Sequence, residues 1–265
     1  MTVELKSRIR KLSDTSSTLK MLVYGDPGVG KTILSGSAPD ALFINIEGGT
    51  LSLRNMGVNV DVIDIEKFSD INEIYQFLRS GQHPYKSVII DSLTELQKKA
   101  MDKILEDEYV KNPTKRDPDV ALLADFGKNT EQLRRVIRNF RDLSMNVIFT
   151  ALPRETKDSI SGEVKVGPSI TPKLAEDVVG YLDVIAYMTT RTKDNETSRF
   201  IMFQPTGQYL AKDRSSRLPA FMKNPVFSDI LGIALNNAKA PAASTPKASP
   251  ASKEPAPVPD AAAQK

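Results

Sequence analysis

Eight residues, Gly25-Asp26-Pro27-Gly28-Val29-Gly30-Lys31-Thr32, match the spacing G-x-x-x-x-G-K-[ST] at every fixed position. At average residue usage such a match arises by chance in about one chain in a hundred of this length. Its setting narrows it further. An apolar run, Lys20 to Tyr24 (KMLVY), precedes it, and a helix-compatible segment, Thr32 to Ser37, follows. Strand, glycine-rich turn and helix in that order make a cradle for phosphate. The glycines let the backbone turn tightly and aim N–H groups at oxygen, and the helix N-terminus adds partial positive charge. Lys31 is then placed to reach the β- and γ-phosphates of ATP, and the Thr32 hydroxyl to ligate Mg²⁺. The alternative is a glycine-rich turn that merely enters a helix.

The rest of the body repeats the alternation of apolar runs and amphipathic segments. Strands are expected at Ala41–Ile46, Val60–Ile65, Ser87–Ile90, Asn146–Thr150 and Leu182–Met188. Phe200–Gln204 and Gln208–Ala211 read as a hairpin turning at Pro205-Thr206-Gly207. Ser69 is placed to cap a helix whose face carries Ile71, Ile74, Tyr75 and Leu78. Leu93, Leu96, Ala100 and Ile104 form a second helical stripe. Leu133, Val136, Ile137, Phe140 and Leu143 form a third, opposite Arg134, Arg135, Arg138 and Arg141. Apolar strands alternating with helices predict an α/β domain, its sheet mostly parallel and covered on both faces, with an antiparallel hairpin at one edge. Its expected span is residues 18–235. A charged segment, 1–17, precedes it, and a tail rich in Ala, Pro, Ser and Lys, 236–265, follows. The tail has little to bury and is expected to be disordered.

Composition limits the chemistry. The chain has no cysteine and one histidine, His83, which disfavours zinc. A net charge of +3 does not by itself mark a nucleic-acid binder. No secretory signal or membrane span is legible, so a cytoplasmic setting is expected. Two acids stand where chemistry belongs. Asp91 ends the apolar strand SVIID and either holds Mg²⁺ beside Thr32 or caps the following helix. Glu47 ends the strand FINIE before Gly48-Gly49, at the carboxyl edge where open α/β sheets place their sites. It could orient and deprotonate water, or stand as a loop carboxylate in solvent.

The order GDPGVGKT, FINIEGG, VIIDS, helix, NVIFT and a long loop resembles the RecA-type ATPase core. The resemblance implies that Glu47 activates water and that Asp91-Ser92 is the acidic pair after the metal-binding strand. It also implies that Lys212-Asp213-Arg214 is the K-x-R finger that reaches a neighbour's γ-phosphate, against the alternative of two exposed charges. Size and segments, Asp125-Phe126-Gly127 and Ala211–Arg214 among them, are most similar to small phage-encoded RecA-like single-strand annealing proteins, over about residues 18–225. Such a relationship implies single-stranded DNA as partner, a homo-oligomeric ring or filament, a single-strand-binding protein as a further partner, and a bacterial host's cytoplasm. The chain departs from RecA at Thr150-Ala151-Leu152, where that core carries Asn-Gln to couple nucleotide to DNA. With no flanking folded domain legible, the resemblance implies a reduced machine rather than a full strand-exchange recombinase.

Two long polar segments are candidate DNA contacts. One, about 107–127, carries Lys111, Lys115 and Arg116; the other, about 154–173, carries Arg154, Lys157, Lys165 and Lys173. The alternative for both is a solvated loop. Besides an ATP-dependent annealing protein, two other functions fit: a helicase-type motor or loader, and a nucleotide-gated interaction protein with little hydrolysis.

Overall fold

The computed structural model describes residues 18–55, 57–157 and 162–235; the expected N-terminal segment and tail lie outside the described residues. The elements run β1 (Lys20–Tyr24), α1 (Lys31–Gly36), β2 (Ala41–Asn45), α2 (Leu51–Asn55), β3 (Asp61–Asp64), α3 (Asp70–Arg79) and β4 (Ser87–Asp91). Two long helices follow, α4 (Leu93–Lys111) and α5 (Leu123–Arg141), then β5 (Asn146–Ala151), β6 (Pro153–Lys157), β7 (Val164–Pro168) and α6 (Pro172–Tyr181). The chain continues with β8 (Val184–Lys193), β9 (Glu196–Met202), β10 (Lys212–Asp213), β11 (Phe221–Lys223) and α7 (Phe227–Ala234).

The main sheet has the order β11-β9-β8-β1-β5-β4-β2-β3, with β10 also paired to β8. From β8 to β3 every pairing is parallel; β9, β10 and β11 are antiparallel additions. The central strands are apolar at every alternate position on both sides, so both faces must be covered. Leu22, Ile44, Ile90 and Phe149 pack with Leu96, Leu133, Phe140 and Leu174 on one face. Met21, Val23, Phe43 and Ile148 pack with Leu34, Leu53, Phe227 and Ile230 on the other. Mostly parallel α/β architecture, helices on both faces and an antiparallel hairpin are therefore all present.

The hairpin lies elsewhere than expected. β8 and β9 pair from Tyr187↔Met202 to Lys193↔Glu196 and turn at Asp194-Asn195, where φ is 51° and 63°. That is the two-residue turn whose backbone matches strand twist, and Asp and Asn tolerate its left-handed conformation. The expected second strand, Gln208–Ala211, makes only one bridge, Tyr209 to Val166. Pro205-Thr206-Gly207 offered a stronger composition signal, but the turn without glycine or proline is the real one.

Both expected loops are also more ordered than their polarity suggested. α4 continues through Lys111 and α5 starts at Leu123, leaving 112–122 as the connection. Arg116 crosses it to pair with the fully buried Asp125 at 2.5 Å. Asp125 in turn accepts from Leu122 N at 2.8 Å. Arg116 thus closes α5's first turn. The second segment is a two-stranded ribbon, β6–β7, followed by α6, with 158–161 outside the described residues. Ser69 makes no side-chain cap; the Asp70 carboxylate accepts from Glu66 N and Lys67 N instead. Arg134 leaves the solvent face to bind Asp177 of α6.

The β8–β9 turn gives a stability test. Asn195→Gly keeps the left-handed residue and leaves stability unchanged or slightly raised. Asn195→Val forces a branched side chain into the same conformation and lowers stability by about 1–2 kcal/mol in urea unfolding.

Candidate functional site

The strand β1 ends at Tyr24, and the chain turns on Gly25. A Cβ on Gly25 would lie 2.1 Å from the Met188 carbonyl oxygen of β8, so no other residue fits. Gly30, at φ 100°, turns the chain into α1, and its carbonyl accepts from Leu34 N at 3.0 Å. Between them Asp26, Pro27 and Gly28 are exposed and Val29 is buried. Lys31 is buried and donates to the carbonyls of Gly25 at 2.7 Å and Asp26 at 2.9 Å. Burial lowers its pKa, while Asp91 and Glu47 oppose the shift.

Asp91, at the end of β4, is 2% exposed. The Thr32 hydroxyl donates to one of its oxygens at 2.9 Å, and the buried Thr150 hydroxyl of β5 donates to the other. Desolvation raises the pKa of Asp91, against the two hydroxyl bonds and Lys31. The residue that caps α4 is Ser92, whose Oγ accepts from Glu95 N at 3.3 Å. Asp91 is free of the capping role that competed for it. Its oxygen and the Thr32 hydroxyl are adjacent hard donors of the kind Mg²⁺ takes.

Glu47 follows β2 on a turn built by Asn45. The Asn45 amide donates to Asp64 at 2.5 Å, and its oxygen accepts from Gly48 N at 3.0 Å. The Ser92 hydroxyl donates to the Glu47 carboxylate. Glu47 is exposed and stands over the cleft with Ser92 as its hydrogen-bond partner. Lys31, Thr32, Glu47, Asp91 and Leu152 line this cleft of about 600 Å³.

The remaining candidates lie apart from it. Lys212 donates to the carbonyls of Val179 and Leu182, and Arg214 to Gly180 O at 2.9 Å and Asp183 at 2.9 Å. Both cap the C-terminal end of α6, where cations complement the helix dipole. They sit beside the start of β8, whereas the phosphate loop follows the end of the parallel β1, so they cannot reach the nucleotide of their own chain. On the ribbon, Arg154 and Lys165 share one face, and Lys157 lies on the other. Lys173 is exposed in the first turn of α6, Lys111 pairs with Glu108, and Lys115 is exposed.

The sequence reading missed several participants. Thr150 stands where the RecA core carries Asn-Gln, and its bond to Asp91 across 59 positions has no local signal. Tyr24, buried, donates its hydroxyl toward Val166 O at 3.0 Å and Leu210 O at 2.7 Å. Its ring lies 5.3 Å from that of Tyr187, which stacks on Tyr209 at 4.3 Å. Three tyrosines spread over 185 positions give no sequence signal.

Two substitutions check the geometry. Lys31→Ala removes the side chain that faces the β- and γ-phosphates, and calorimetric affinity for ATP falls at least about tenfold. Asp91→Asn spares the folded protein a desolvated carboxylate. The nucleotide-free variant melts about 2–4 °C higher at neutral pH, the shift that ~1 kcal/mol gives in a domain of this size. Mg²⁺ no longer tightens its ATP binding. A lowered melting point would mean that the hydroxyl bonds outweigh desolvation.

No curated protein matches the chain. Among solved structures it is similar to a KaiC-like protein from the archaeon Pyrococcus horikoshii, at 14% identity and TM-score 0.39, over 71% of this chain and 79% of that one. It is also similar to the flagellar accessory protein FlaH of Methanocaldococcus jannaschii, at 10% identity and TM-score 0.37, over 75% and 82%. Likenesses this distant add nothing to the strand order and the cleft. A family model described as an AAA domain matches residues 17–215, most of the chain. The chain belongs to that AAA domain family and carries its nucleotide-binding residues on a phosphate-binding loop.

Proposed function

We propose that this chain hydrolyses MgATP, binds single-stranded DNA on its β6–β7 ribbon, and promotes annealing of complementary strands. In the hydrolytic step the Glu47 carboxylate takes a proton from water as the water oxygen bonds to the γ-phosphorus. The bond from that phosphorus to the β–γ bridging oxygen breaks, and ADP carries the electron pair away. Lys31 holds the β- and γ-phosphates, and Asp91 and Thr32 are the residues that would hold Mg²⁺. When bound, the metal neutralises charge building on the phosphates. Lys212 and Arg214 could serve only a neighbouring subunit's nucleotide, and to do so they would have to leave α6.

The observation that carries the DNA reading is the placement of the ribbon. Leu152 lines the nucleotide cleft, and the next residue, Pro153, begins β6. Leu152 N donates to Thr94 Oγ1, Ser169 N donates to Leu152 O, and Thr94 Oγ1 donates to Ser169 O. The root of the ribbon is thereby bonded to α4 directly behind Asp91. Farther out, Arg154, Lys165 and Tyr209 line a cavity of about 660 Å³ between the ribbon, α6 and the segment 205–210. Two cations and a tyrosine ring offer contacts for phosphate and base on one strand.

Arg154→Ala with Lys165→Ala weakens binding to every single-stranded sequence. It flattens the log–log salt slope by about 1.4, since each lost phosphate contact removes roughly 0.7. ATP affinity stays at the wild-type value. Unchanged affinity and slope would remove the ribbon from the DNA site. Glu47→Gln binds MgATP normally and turns over about 10²-fold more slowly or worse; wild-type turnover would return Glu47 to a solvated carboxylate.

A further inference from the structure

The residue before Lys31 has an unexpected neighbour. A Cβ built on Gly30 would lie 2.5 Å from Nε and 2.7 Å from Cδ of Arg199, which stands on β9. The Arg199 side chain therefore rests directly against the phosphate loop. Its backbone is pinned from two sides. Arg199 pairs with Thr190 of β8, and it exchanges two hydrogen bonds with Asn224, whose Oδ1 accepts from Arg199 N at 2.9 Å and whose N donates to Arg199 O at 2.7 Å.

The guanidinium is unpartnered among the described residues. Among the described residues, no carboxylate lies within ion-pair distance of it, and no side-chain hydrogen bond is made. Gly30 and Lys31 belong to the phosphate loop, so the half-buried guanidinium stands beside the segment that an anionic ligand would occupy, where it could make a charge-assisted contact.

Strand order says which part of the ligand supplies that anion. Thr32 is bonded to Asp91 on β4, and Glu47 follows β2, so the hydrolytic centre lies on one flank of β1. β8 and β9 lie on the other flank. A nucleotide with its γ-phosphate at Glu47 would run its remaining phosphates toward Gly30 and the β8–β9 flank. We propose that Arg199 binds the nucleoside-side phosphates of ATP and ADP, chiefly the α-phosphate, by the two-pronged contact a guanidinium makes with non-bridging oxygens. The proposal rests on the nucleotide-binding reading of the same cleft. It makes Arg199 an affinity residue that acts alike on substrate and product.

The test compares the full chain with Arg199→Ala and Arg199→Lys by calorimetry against ADP and ATP, with steady-state turnover. Arg199→Ala raises Kd for both nucleotides by about tenfold, the loss of one charge-assisted contact. KM rises alike, kcat stays within about twofold, and Arg199→Lys keeps part of the affinity. Melting without nucleotide is unchanged, because among the described residues the side chain has no partner to lose. A loss confined to ATP would overturn the assignment in favour of the γ-phosphate, and a lowered nucleotide-free melting point with normal Kd would make Arg199 structural. Equal affinity in wild type and Arg199→Ala would overturn this proposal alone. Failure of the wild type to bind either nucleotide would overturn the nucleotide reading and this proposal with it.

Discussion

One buried carboxylate ties the centre of the molecule together. Asp91 ends β4, takes a hydrogen bond from Thr150 on β5, and takes another from Thr32 at the start of α1. Three elements from three parts of the chain meet at a group that desolvation disfavours as an anion. The parallel sheet makes the meeting possible, since its strands end together and point their last residues into one crevice. Glu47 and Ser92 meet in the same crevice for the same reason. The site is what remains unsatisfied at the carboxyl edge once both faces of the sheet are packed.

The parts of this arrangement that follow from local pattern were legible in the sequence. The phosphate loop is contiguous, and its residue types are dictated by close approach and phosphate geometry. The central strands are apolar runs bounded by turns, and β1, β2, β4 and β5 end within a residue of where they were read, whereas β8 runs on to Lys193 because its outer half is polar and is held by pairing with β9. Position fails where the signal is a pairing rather than a pattern. Nothing local distinguishes Arg116, which is paired with a buried aspartate, from Lys115, which is exposed. Nothing local shows that Lys212 and Arg214 reach the last carbonyls of α6, 30 or more positions earlier in the chain. The ribbon was mistaken for a loop because its exposed strand, PRETK, carries none of the apolar alternation by which strands are recognised; the inward side chains, Val164, Val166 and Pro168, lie on the partner strand.

The basic residues thus divide by what they already hold. Arg116, Arg134, Lys212 and Arg214 are occupied by carboxylates or backbone carbonyls, and each ties a helix end or face to an adjoining segment. Lys20 does the same at the foot of β1, where it donates to the Leu143 carbonyl and burial lowers its pKa to about 8. Such cations are part of the scaffold. Positive charge concentrated on a sequence segment overstates what remains for a polyanion, because the scaffold draws from the same supply.

Tyr24 has a single hydroxyl hydrogen and two carbonyls within reach, Val166 on the ribbon and Leu210 on the segment that follows β9. Burial pushes its pKa upward, so the phenol stays a donor. A lone hydrogen shared between two acceptors cannot be strengthened toward one without being weakened toward the other. Those two walls are themselves joined, since Val166 N donates to Gln208 O at 2.7 Å and Leu210 N to Val166 O at 3.0 Å. The phenol therefore grips a closed seam, and a slight rotation of β1 at its end carries both walls of the outer cavity together.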